Sequence, residues 1–316
     1  MEFAGRLAVV TGGGTGMGRE LVIQLAAEGC SVATCDLMLE NLTETALRAE
    51  KEAPPGTRIT THACDVGDEA QVQQFRDEVL AQHETDHVNL VFNNAGIGGG
   101  GSFVSGPRDE WDRTFGVCWG GVYNCSRAFV PLLVASDDGY LVNTSSVNGF
   151  WASLGPGMPH TAYSAAKFAV KGFSEALIED FRVNAPHVKV AVVMPGHIGT
   201  DIVHNSRKIL GGPAPEDLSA DEIAEMRANL VKRGMPIQGV SDDDLRTFMG
   251  TMADMFRDNA PTSAAQAATI ILEGVRNDQW RLLIGDDADR LDEAVRADPL
   301  AAYNHEGPGL STILGG

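Results

Sequence analysis

No Cys-x-x-Cys pair occurs among the five cysteines of this chain, which argues against a disulfide framework or a zinc site and for reduced thiols. Long apolar runs are missing too, since none approaches the roughly 18 residues that a membrane-spanning helix needs. The N-terminus lacks a basic region followed by an apolar one, so no secretory leader is indicated. Positive charge is scarce. With 24 Lys and Arg against 43 Asp and Glu, the formal net charge of −19 repels phosphate backbones and argues against a nucleic-acid partner. These absences predict a soluble, cytoplasmic protein with no metal centre, no membrane and no nucleic acid among its partners.

What is present starts with Leu7-Ala8-Val9-Val10-Thr11, a short buried-strand pattern. Gly12-Gly13-Gly14-Thr15-Gly16-Met17-Gly18 follows, and then a helical stretch from about Arg19 to Glu28. Strand, glycine turn and helix stand in the order a dinucleotide site needs: the glycines let the backbone approach a pyrophosphate, whose charge the helix N-terminus favours. The next strand, Ser31 to Cys35, delivers Asp36 at its C-terminal end, where a ribose-binding acid is expected. Its carboxylate accepts from ribose hydroxyls and repels a 2′-phosphate. Because no Arg or Lys lies within the turn or directly follows Asp36, NAD is expected as the cofactor over NADP.

Alternation of strands and helices runs unbroken across the first 200 residues, and Leu7 to Val10, Val88 to Phe92 and Val188 to Val193 read as strands buried on both faces. The expected architecture is therefore α/β, a doubly wound parallel sheet of the Rossmann type in a single domain spanning residues 1–316. Tyr163 and Lys167 lie four residues apart, on one face of a helix. An ammonium beside the phenol favours its ionised form. Bringing a phenol from about 10 to near 7 takes roughly 4 kcal/mol, which one charge at about 4 Å supplies at an effective dielectric near 20. Alone, a Tyr-x-x-x-Lys spacing is weak; its company gives it weight.

With these motifs in order, the chain resembles the short-chain dehydrogenase/reductase family, from about residue 5 to 200 and again near 262 to 285. The resemblance implies several roles. Asp65 and Val66 would lie against adenine, Leu37 beside Asp36, and Asn94, Ala95 and Gly96 along the cofactor cleft. Pro195, Gly196, Ile198 and Thr200 would close over the nicotinamide, while Gly12, Thr15, Gly16, Met17 and Gly18 hold the phosphates. Ser146, with Ser145 as the alternative, would hydrogen-bond the substrate oxygen; Tyr163 would move its proton; Lys167 would lower the tyrosine pKa and hold the nicotinamide ribose. Where the family usually has a catalytic Asn, aligning Gly121 and Pro131 puts Cys118. That position serves a water-linked proton relay largely through its backbone carbonyl, which a cysteine keeps. The relay is expected to survive.

The resemblance makes the chain an NAD-dependent oxidoreductase interconverting a secondary alcohol and a ketone. A reductase of acyl-type ketones or quinones is the runner-up, and a non-catalytic NAD sensor or a lyase on the same fold are further alternatives. The loop from Ser146 to Tyr163 carries Phe150, Trp151, Leu154, Met158 and His160, and is expected to wall the substrate pocket. Residues 201–260 read as an enlarged helical lid with helices at about Pro215 to Arg233 and Ser241 to Asp258, punctuated by Pro213, Pro215, Gly234 and Pro236. Met226, Met235, Met249, Met252 and Met255 fall here with Phe248 and Phe256, and Met249, Met252 and Phe256 share a helical face. Methionine adapts to irregular apolar surfaces, so a bulky apolar or aromatic small-molecule substrate is expected. His197, after Pro195-Gly196, reads as a residue supporting the site.

The C-terminal extension, residues 286–316, starts with a helix from Asp286 to Ala297 whose acids suit its N-terminal end. A homodimer or homotetramer through helices containing residues 112–134 and 162–183 is expected, with the tail from Asn304 as a strap for a neighbouring subunit.

Overall fold

A computed structural model describes residues 1–155, 157–232, 237 and 239–304. Its strands are β1 (Leu7–Thr11), β2 (Ser31–Asp36), β3 (Ile59–Ala63), β4 (Leu90–Asn93), β5 (Gly139–Thr144), β6 (Val188–Pro195), β7 (Ile198–Gly199), β8 (Thr262–Ser263) and β9 (Arg281–Ile284). Seven of them form one parallel sheet in the order β3-β2-β1-β4-β5-β6-β9, and β7 pairs with β8 apart from it. Every residue of β1, β4 and β5 is buried. A sheet covered on both faces requires that.

The covering helices are α1 (Gly16–Ala27), α2 (Leu39–Glu52), α3 (Glu69–His83), α4 (Arg108–Phe115), α5 (Gly121–Val134) and α6 (Thr161–Asn184). They are followed by α7 (Ile202–Ile209), α8 (Ala220–Lys232), α9 (Asp242–Asp258), α10 (Ala264–Arg276) and α11 (Asp286–Ala297). The chain order reverses at β1, which has β2 on one side and β4 on the other. At such a switch point the loops leaving the strand ends diverge and open a crevice. Buried polar side chains fix the strands around it: Asn93 Nδ2 donates to Ser126 Oγ (3.1 Å) and Asn143 Oδ1 (2.8 Å), and Asn143 Nδ2 donates to Ser174 Oγ (3.0 Å). This chain of bonds ties β4 and β5 to α5 and α6.

The insertion differs from its reading. Its first element is α7, which was not expected; Pro215 belongs to a short turn, and α8 begins at Ala220. Leu218, Ile223 and Leu245 form its own small core, against which Met226 packs, while Met252 and Met255 stand about half exposed. The methionines therefore do not make one apolar wall. Gly234, Met235, Pro236 and the tail after Asn304 lie outside the described residues. No helix among those described is long and apolar enough to cross a membrane, and all five cysteines are buried and unpaired.

Candidate active site

Along the crevice runs a cleft of about 810 Å³. Its floor is the glycine turn, where Gly12 (φ +69°) and Gly16 (φ +55°) adopt backbone that side chains disfavour. A methyl on Gly12 would lie 2.8 Å from Ala95 Cα, and one on Gly18 only 2.1 Å from Gly12 O. The turn thus packs onto the β4 loop with no room for a side chain. Helix α1 opens uncapped: Thr15 makes no capping bond and no acid stands in the first turn. Free N–H groups at a helix N-terminus attract an anion. Thr15 Oγ1 instead accepts from Asn205 Nδ2 of α7 (3.0 Å).

At one end of the cleft, Asp36 Oδ2 accepts from Gly14 N (3.0 Å) and Oδ1 from Met38 N (3.1 Å), which aims the carboxylate at the turn. Arg19 of α1 is engaged with Gly14 O (2.9 Å), Thr45 Oγ1 (3.0 Å) and Glu44 (3.2 Å). Of the residues expected to hold a cofactor, Gly12, Thr15, Gly16, Met17, Asp36, Leu37, Asp65, Val66, Asn94, Ala95, Gly96 and Thr200 line the cleft. Gly18 lies behind the turn, and Tyr163, Lys167, Pro195, Gly196 and Ile198 stand outside the lining. Asp65 is partly committed to Arg113 of α4 (2.7 Å). Asn94 fixes the turn from above, donating to Thr11 O (3.1 Å), while its buried Oδ1 has no partner. A backbone cradle that a Cβ would fill, an uncapped helix N-terminus and a carboxylate at the far end fit a dinucleotide.

The other end of the cleft meets the reactive groups. A methyl on Gly96 would stand 3.5 Å from Lys167 Nζ and 3.8 Å from Cys118 Sγ. Lys167 is buried, donates to Thr144 O (2.8 Å) and lies 5.3 Å from the centre of the Tyr163 ring. Ser146 caps a short turn, its Oγ accepting from Asn148 N (3.1 Å), and faces the phenol, whereas Ser145 is spent on Lys167 O (2.7 Å). Geometry thus separates the two serines. Cys118 sits in a π-turn, Gly116–Gly120, that interrupts the long helix, and its thiol donates to Ile97 O (3.1 Å). Such turns often mark functional sites.

The electrostatics depart from expectation. Burial pushes the Tyr163 phenol above its ordinary value, against which the Ser146 hydroxyl acts, and burial pushes the Lys167 ammonium down. Removal from water is the larger cause for each group, and the neighbouring Cys118 thiol adds to the rise of the phenol. For the phenol this direction is the reverse of the one that its spacing from Lys167 predicted.

A family model of the short chain dehydrogenases matches residues 6–210. The chain belongs to the short-chain dehydrogenases. Over 296 residues it is 32% identical to the oxidoreductase SadH of Mycobacterium tuberculosis, covering 93% of this chain and 91% of that one. A short chain dehydrogenase/reductase from Burkholderia phymatum, solved in complex with NAD, matches with TM-score 0.76 at 25% identity, covering 98% and 99% of the two chains. A metagenomic short-chain oxidoreductase solved with NADP matches with TM-score 0.54 at 24% identity, covering 83% and 96%.

Several parts of this short-chain dehydrogenase escape a reading of its residues. Ile202, Asn205 and Ile209 reach the cleft from one face of α7, and Cys35 and Cys64 line it from strand ends. Trp151 was expected in the substrate wall, yet it is fully buried with Ala288, Leu291 and Ala302 and donates Nε1–H to Ala302 O (2.8 Å). It anchors the C-terminal segment, and Phe150 packs against the same cluster. His160 does stand at the site, with its ring 4.7 Å from that of Tyr163 and its pKa lowered by burial to about 4. Asp287 is not a surface acid. It is buried, and Oδ2 accepts from His197 N (2.6 Å).

Proposed function

We propose that this oxidoreductase interconverts a secondary alcohol and a ketone with NAD, through Ser146, Tyr163 and Lys167. The observation that carries this reading is that Ser146 and Lys167 both stand beside Tyr163, with the ammonium next to Gly96, which lines the same cleft as Asp36. Bound there, nicotinamide dinucleotide supplies the acceptor or donor of hydride and, when oxidised, a positive charge. Gly16, Met17 and Gly18 would present N–H groups to its phosphates, Asp36 would take the adenosine ribose hydroxyls, and Lys167 the second ribose. Ser146 donates to the substrate oxygen and orients it. Tyr163 takes or gives the proton at that oxygen. Lys167, held by Thr144 O, fixes the field around the phenol, and the backbone of the π-turn at Cys118 supports the proton route to solvent.

Preference for NAD is supported by the placement of Asp36 and by the engagement of Arg19 with Gly14 O, Thr45 and Glu44. A bulky apolar substrate is supported by Ile97 and by Ile202 and Ile209 of α7, which border the cleft. The second reading is reduction of a ketone, acyl-type or quinone included, in which Tyr163 is the proton donor. We also propose a homodimer or homotetramer through α5 and α6, where Tyr123, Phe168 and Val183 are exposed; light scattering on the purified protein tests it.

The test of the activity is cofactor turnover with NAD and, separately, NADP, across secondary alcohols and matching ketones from small polar to bulky aryl, with Tyr163→Phe as control. Turnover with NAD, highest on bulky substrates and abolished in the control, is the expected result. Better turnover of small polar alcohols would refute the apolar pocket, and an active control would refute the role of Tyr163.

A further inference from the structure

Besides the backbone bond from Gly196 N to Ile284 O (3.0 Å) and the pairing of β7 with β8, the turn Pro195 to Thr200 has two side-chain anchors outside the cleft. One is the insertion, because His197 Nε2 donates to Phe256 O at the end of α9 (2.6 Å) and the imidazole packs on the Phe256 ring at 4.3 Å. The other is Asp287, in the first turn of α11. Its carboxylate lies between two glycines. A methyl on Gly196 would stand 2.2 Å from Asp287 Oδ2, and one on Gly285 would stand 2.4 Å from Asp287 Oδ1. Oδ2 accepts the His197 N–H at 2.6 Å, while the buried Oδ1 and the buried His197 Nδ1 have no partner among the described residues.

A carboxylate costs much to bury unless it is hydrogen-bonded or paired. Here burial pushes its pKa up, against which the His197 N–H acts. From His197 the chain passes directly into β7, paired with β8, and then to Thr200. Thr200 lines the cleft, with Cγ2 only 3.0 Å from where a methyl on Gly16 would be. Whatever fixes Gly196 and His197 therefore sets where Ile198 and Thr200 stand relative to the glycine turn.

We propose that Asp287 is a positioning residue for the nicotinamide half of the cofactor site, holding the Gly196–His197 backbone so that Thr200, which lines the cleft, keeps its place against the glycine turn. This rests on the cofactor reading above and makes the C-terminal helix part of that site. The adenosine end is set separately, by the bonds of Asp36 to Gly14 N and Met38 N. Loss of the clamp should loosen one end of the cofactor and leave the other unaffected, and sub-ångström placement is what hydride transfer depends on.

Calorimetric titration of the full chain with NADH and with ADP-ribose, which lacks the nicotinamide, separates the two halves; the fluorescence lifetime of NADH at saturation reports how firmly the ring is held. Asp287→Ala should weaken NADH binding at least tenfold, shorten the lifetime toward that of free NADH, and leave ADP-ribose affinity within twofold. Asp287→Asn, whose amide oxygen still accepts from His197 N, should restore NADH binding to within threefold of the parent. Gly196→Ala, whose methyl would displace the carboxylate from the other side, should repeat the split even if Asp287→Ala does not fold. Equal losses for both ligands, or unchanged NADH affinity and lifetime in these variants, would overturn the proposal while leaving the cofactor site standing. A parent protein that binds neither ligand would overturn the cofactor reading and the proposal with it.

Discussion

Replacing Asp36 by Asn removes one charge at nearly constant shape and should move the chain from NAD selectivity toward tolerance of NADP. The carboxylate is partly exposed at the end of β2, with both oxygens engaged by backbone N–H groups of Gly14 and Met38. Like unit charges 4 Å apart repel by about 4 kcal/mol at an effective dielectric near 20, and a phosphate monoester carries roughly −1.5 to −2. Solvent and salt cut this at a partly exposed site, leaving about 2 to 4 kcal/mol of discrimination. At about 1.4 kcal/mol per tenfold, that is roughly 30- to 700-fold. Asn keeps one acceptor of two, so NAD itself should lose about 1 kcal/mol from the missing hydrogen bond. The assay is kcat/KM for each cofactor at fixed substrate and fixed ionic strength, in the parent and in Asp36→Asn. Equal use of both cofactors by the parent, or a selectivity ratio unchanged within threefold in the variant, would refute the electrostatic reasoning.

Three further outcomes are expected. Cys118→Asn should change turnover less than about tenfold, since the π-turn sets the backbone there and the thiol only donates to Ile97 O; a rise of several orders of magnitude would mean the natural proton route is broken. Trp151→Ala should cost about 3 to 5 kcal/mol in urea unfolding, as expected for a fully buried large aromatic, with substrate preference unaltered; a changed preference at unchanged stability would restore Trp151 to the pocket wall. His160 has its folded pKa lowered to about 4 from 6.5, so the unfolded chain binds the extra proton between those values. Its contribution to stability is complete above pH 6.5 and fades as pH falls toward 4, by at most about 3 kcal/mol at 1.36 per unit. Urea midpoints should therefore drop more steeply with acid in the parent than in His160→Gln, and parallel curves would contradict this.

Backbone-driven features were the legible ones. Glycines at 12, 16 and 18 announce a turn because no side chain fits where the turn meets Ala95 and Gly12 O, and strands buried on both faces read as apolar runs. Asp36 followed from strand position alone. What stayed hidden depends on contacts distant in sequence. Helix α7 has eight residues, mostly polar in its middle, and no local pattern strong enough to nucleate alone; it is held by Asn205 on Thr15 and by Ser206, whose Oγ accepts from Gly98 N (2.7 Å). Trp151 looked like a pocket residue because its partner, Ala302, is 151 positions away. Asp287 resembled any first-turn acid until the fold brought Gly196 against it. For Tyr163 and Lys167 the spacing was informative, but the desolvation that reverses the expected pKa shift belongs to the packed state only.

The bond between Thr15 and Asn205 closes 190 residues of chain. At roughly 5 to 20 residues per second of synthesis, the glycine turn leaves the ribosome about 10 to 40 s before the residue that bridges it. Through that interval β1, α1 and β2 exist without α7, and through its first part also without β4, their neighbour at the switch point. The cofactor cannot act as a template for the nascent N-terminal half, because the cleft has only one side. Selection on early folding must therefore fall on the local packing of α1 and α2 against the first strands, while ligand-dependent stabilisation begins only after release of residues near 205.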